Sequence, residues 1–87
     1  MDESVEEVIR TLEAMGGDSA LIHERNKYIN LIRLGQIHLE HALEKDNANN
    51  TADAVIYAEI LYEYVGRAVF WMSEVARGWW NSSGKEN

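Results

Sequence analysis

The sequence predicts an all-α protein, with a short N-terminal helix followed by a long antiparallel helical hairpin that forms a helical bundle by dimerisation. The 87 residues include no proline, which suits long uninterrupted helices. Apolar residues recur at spacings of three and four along three stretches, whereas no stretch shows the alternation of a strand. Cysteine is also absent, so neither a disulfide nor a thiolate metal site is available to stabilise the fold.

The first helix is predicted over residues 4 to 15. Ser4 and Glu7 have the spacing of a capping box, which satisfies free backbone amides at a helix start. The apolar residues of this stretch share one face: Val5, Val8, Ile9, Leu12 and Met15. Gly16 and Gly17 are expected to end the helix. A helix this short is unstable in isolation, so we expect it to dock on the other two.

The second helix is predicted from Asp18 or Ser19 to about residue 46. One face carries an apolar row that consists of Leu21, Tyr28, Ile32, Gly35, Leu39 and Ala42. A glycine in a helix interior costs about 1 kcal/mol relative to alanine. Gly35 therefore predicts close packing against a bulky neighbour, for which an aromatic side chain is the candidate. The polar residues 47–50 are predicted to form a short turn, with Asn50 or Thr51 capping the next helix.

The third helix, predicted over residues 51 to 80, is apolar around most of its circumference. Its charged residues fall within a stripe about 80° wide, so the helix is expected to be central. A row with alternating spacings of four and three consists of Ala54, Ala58, Leu61, Val65, Ala68, Met72, Val75 and Trp79. Gly66 lies at the edge of the polar stripe, which predicts a close neighbour there. Residues 1–80 are thus one helical domain, and residues 81–87 form a flexible polar tail.

The apolar surface of the third helix exceeds what the other two helices can cover, which predicts self-association. The simplest form is a two-fold homodimer in which two hairpins make a four-helix bundle. Aromatic residues near the end of the helix favour contact with a protein partner, because tryptophan is enriched at interface hot spots. The predicted oligomer or partner interface comprises Tyr57, Leu61, Tyr64, Val65, Ala68, Phe70, Trp71, Met72, Trp79 and Trp80, together with Leu34 and Ile37 of the second helix.

The net charge of −7 disfavours direct binding to nucleic acid, which requires a basic patch. An alternative role is that of an acidic regulator or nucleic-acid mimic, which occupies the basic groove of a nucleic-acid-binding protein. The carboxylates available for that role are Glu3, Glu6, Glu7, Glu13, Glu40 and Glu44. Charged residues interrupt the apolar run of the third helix, so no membrane contact is expected. The acidic N-terminus lacks an apolar leader, which predicts a cytoplasmic protein.

The sequence contains no set of residues that predicts catalysis or a cofactor. His38, His41 and Glu44 have helical spacing for a shared metal ion, but no second histidine-bearing helix completes such a site. Arg33 and His38 have a spacing found in some helical ribonucleases, yet they point about 140° apart on a straight helix. We therefore expect neither enzyme activity nor a metal. The leading hypothesis is a non-enzymatic protein–protein interaction module, acting as a small acidic adaptor, chaperone subunit or inhibitor.

Overall fold

A computed structural model describes residues 3–44 and 48–78, and three α-helices account for most of them. Helix α1 spans Glu3–Ala14, α2 spans Ser19–Glu44 and α3 spans Ala48–Ala76. Within these described residues there is no strand. The prediction of an all-helical chain, with one short helix before two long ones, is therefore confirmed.

The connection between α1 and α2 has the features that the sequence indicates. A carboxylate oxygen of Asp18 accepts a hydrogen bond of 2.9 Å from the backbone N–H of Leu21, so Asp18 caps α2, for which the predicted start was Asp18 or Ser19. Gly17 has a φ of +153°, in a region that side-chain-bearing residues rarely adopt. Helix α1, however, begins at Glu3, which puts Ser4 inside the first turn instead of before it. Glu3 is favourable as the first residue of α1, because its negative charge complements the positive end of the helix dipole.

Helices α2 and α3 pack closely as a hairpin, and their tightest approach lies at Gly35. A Cβ atom placed on this residue would lie 3.2 Å from Cδ1 and 3.4 Å from Cα of Leu61. The prediction of close packing at Gly35 is confirmed, although the neighbour is a leucine and not an aromatic residue. Ile32 and Leu61 are fully buried beside this point. Because Gly35 has no side chain, the backbone of α2 can pack directly against Leu61 of α3.

Helix α1 lies antiparallel to α2 and covers part of one face of the hairpin. Near its start, Glu6 accepts a hydrogen bond of 2.8 Å from the side-chain amide of Gln36. Near its end, the guanidinium of Arg25 donates to the carbonyl oxygens of Met15 at 2.8 Å and Glu13 at 3.3 Å. These contacts show that α1 lies along residues 25–36 of α2. With 12 residues against 26, α1 is about 18 Å long beside about 39 Å of α2.

The buried core is built from the apolar faces that the sequence predicts. All three helices contribute to one cluster, which consists of Val5, Ile9, Leu12, Ile32, Leu39, Ala42, Ala54, Leu61, Ala68 and Trp71. The remaining described members of the predicted rows, such as Val8, Tyr28 and Val65, are partly buried against it. One buried polar side chain, that of Gln36, lies among the described residues of this core.

The ends of α3 differ from the prediction. The helix begins at Ala48 instead of residue 51, because asparagine lowers helix propensity by no more than about 0.7 kcal/mol and does not stop a helix. It ends at Ala76 instead of residue 80, because Gly78 turns the backbone with a φ of +77°. Residues 45–47 and 79–87 lie outside the described residues. These include the predicted end of α2 at residue 46, Trp79, Trp80 and the polar tail.

Candidate interaction surface

Large apolar side chains are exposed on the outer sides of both long helices. Phe70 of α3 retains 61% of its accessible surface, and Leu34 and Ile37 of α2 retain 50% and 49%. Further large apolar residues with substantial exposure are Leu43, Val55, Ile56, Ile60, Tyr62 and Val69. Single exposed apolar residues are ordinary on a protein surface, but contiguous patches mark interaction sites. The positions of these residues around their helices therefore show whether they are scattered or form a patch.

Two separate edges of the hairpin carry most of these exposed apolar residues. On α2, Leu34 and Ile37 point away from α3, since Gly35 faces Leu61 and Ile37 lies about 160° from Gly35 around the helix. On α3, Phe70 lies about 180° from the buried Leu61. We call the first surface the α2 edge. We call the second the α3 edge, which comprises Ile56, Tyr62, Gly66, Val69 and Phe70.

The predicted interface residues fall into three groups by burial. Leu61, Ala68 and Trp71 lie in the core of the chain itself, and Trp71 retains only 3% of its surface. Four others, Tyr57, Tyr64, Val65 and Met72, are half-buried against that core. Phe70, Leu34 and Ile37 are exposed. Trp79 and Trp80 lie outside the described residues. Among the predicted interface residues that the structure describes, the exposed group has the most accessible apolar surface.

The prediction did not include Val55, Tyr62 and Val69 among the interface residues, although all three are about half exposed. They recur every seven residues, so they form a single row along α3. This row was detectable in the sequence as a second heptad beside the buried one.

Two ring contacts connect α2 to α3 on the face of the hairpin away from α1. Tyr28 and Trp71 have centroids 5.4 Å apart, and His38 stacks on Tyr57 at 5.2 Å. The contact with Tyr57 gives His38 a packing role. No group of three or more histidine, aspartate or glutamate residues in the described part of the chain is arranged to hold a metal ion.

Several charged side chains are engaged within the chain. Arg33 lies 3.6 Å from the carboxylate of Glu13 in α1, whereas His38 packs on α3, so these two residues contact different helices. Lys27 and Glu24 form an ion pair of 2.7 Å, and the hydrogen bond to Glu24 raises the pKa of Lys27. Of the acidic residues proposed to imitate nucleic acid, Glu6 is bonded to Gln36. Glu7, Glu40 and Glu44 are exposed.

Comparison of the chain with protein-family models, with curated proteins and with solved structures gives no match. Across residues 3–44 and 48–78, none of the helices combines the length and the apolar character that crossing a bilayer requires.

Proposed function

We propose that this chain is a non-enzymatic protein–protein interaction module that self-associates and captures a partner protein. It would act as a small acidic adaptor, chaperone subunit or inhibitor, through scaffolding or occlusion. The observation that carries this proposal is the exposure of large apolar side chains on both outer edges of the hairpin. Phe70 is more exposed than buried, and Leu34 and Ile37 are half exposed.

Two edges on opposite sides of one hairpin suit a protein that joins two others. A contact at one edge leaves the other accessible, since α2 and α3 separate them. In the simplest arrangement two chains pair through one of these edges about a two-fold axis, so that the two hairpins lie side by side. The remaining edge of each chain then binds the partner protein.

The α2 edge is tested by affinity capture with a paired control. The variant carrying Leu34→Ser and Ile37→Ser removes the apolar side chains of this edge. Leu43→Ser removes another exposed apolar side chain of the same helix, away from that edge. We expect the double variant to lose a protein that the wild type and the control both retain. Equal retention by all three would contradict a partner site at the α2 edge.

Salt dependence separates an apolar contact from the acidic alternative. Moderate salt screens interactions between exposed charges, because the Debye length is about 8 Å at physiological ionic strength. Capture through Leu34 and Ile37 should therefore survive an increase in salt. If salt abolishes capture and the double variant still captures the partner, the results would favour the alternative, in which an acidic surface occupies a basic groove.

A further inference from the structure

We draw no further inference here: the strongest candidate, the exposed apolar surface of the α3 edge around Gly66, where the expected close neighbour is absent from the described residues, carries nothing because nothing in the structure shows what covers it.

Discussion

The two helical glycines of the hairpin have opposite surroundings, so the same substitution should have opposite effects. At Gly35 a new methyl group meets Leu61 Cδ1 at 3.2 Å, with the backbone Cα close behind. Overpacking costs about 1–3 kcal/mol and the gain in helix propensity is about 1 kcal/mol. We expect Gly35→Ala to lower the free energy of unfolding by about 1 kcal/mol. Gly66→Ala should raise it by up to about 1 kcal/mol.

Denaturant unfolding at low protein concentration measures both changes in the monomer. Each variant is the control for the other, since both make the same chemical change inside a helix. A stabilising Gly35→Ala would mean that α2 and α3 can separate slightly at this point. A destabilising Gly66→Ala would mean that a neighbour occupies the space that is open in the structure.

A negative charge introduced at the buried Gln36 should lower the stability of the fold. Its amide donates to Glu6 at 2.8 Å, and it retains only 7% of its surface. Gln36→Glu would place two carboxylates together and lower the denaturation midpoint at neutral pH. The deficit relative to the wild type should shrink as the pH falls below about 4, where carboxylates become protonated. Gln36→Leu is the control, and its effect should depend much less on pH.

A deficit for Gln36→Glu that is unchanged in acid would indicate that Glu6 turns to solvent, so that the two carboxylates never meet. The sequence does not indicate this pair, because the two residues are thirty positions apart and either could face water. The cap at Asp18 was predictable, in contrast, because its partner Leu21 lies three residues along the chain.

At the scale of the elements, α1 depends on three fully buried side chains. Val5, Ile9 and Leu12 dock it on the hairpin, and a helix of 12 residues is not stable without such contacts. We expect Leu12→Ala to cost about 2–4 kcal/mol and to release α1 first. Hydrogen exchange should show faster exchange of α1 amides, with slower amides retained in α2 and α3.

The control for this experiment is Thr11→Ala, which changes the exposed neighbour of Leu12. Its effect on the exchange of α1 should be small, since its hydroxyl only donates to the carbonyl of Glu7 one turn earlier. If Leu12→Ala accelerated exchange equally in all three helices, α1 and the hairpin would unfold as one unit.

The helices and their buried faces were predictable from the sequence, because the spacing of apolar residues determines which face a helix buries. The rows of α2 and α3 meet at Gly35 and Leu61 for that reason. The helix ends were less predictable. Gly78 ends α3 through a left-handed backbone conformation, whereas Gly66 lies within the same helix without interrupting it. The residue type is identical, and only the three-dimensional context distinguishes the two.

At the scale of the whole molecule, the sequence alone does not determine which apolar residues of α3 are buried and which are exposed. The sequence assigns Trp71 and Phe70 to the same interface, yet Trp71 packs against Tyr28 and Phe70 is exposed. Adjacent residues differ by about 100° around a helix, so the rotation of α3 about its own axis decides which one is buried. The candidate site could therefore be placed on α3 by sequence, but its exact face needed the packing of α1 and α2.

Self-association through α3 is the central claim, and the solution mass over a concentration series tests it most directly. The mass of the wild type, measured by light scattering, should rise from the 10.0 kDa of the monomer towards twice that value as the concentration increases. Phe70→Ser should shift this rise to higher concentration, and Leu43→Ser, which changes an equally exposed residue, should leave it in place. A wild-type mass that stays at the monomer value throughout, or a Leu43→Ser variant that dissociates as readily as Phe70→Ser, would contradict the account.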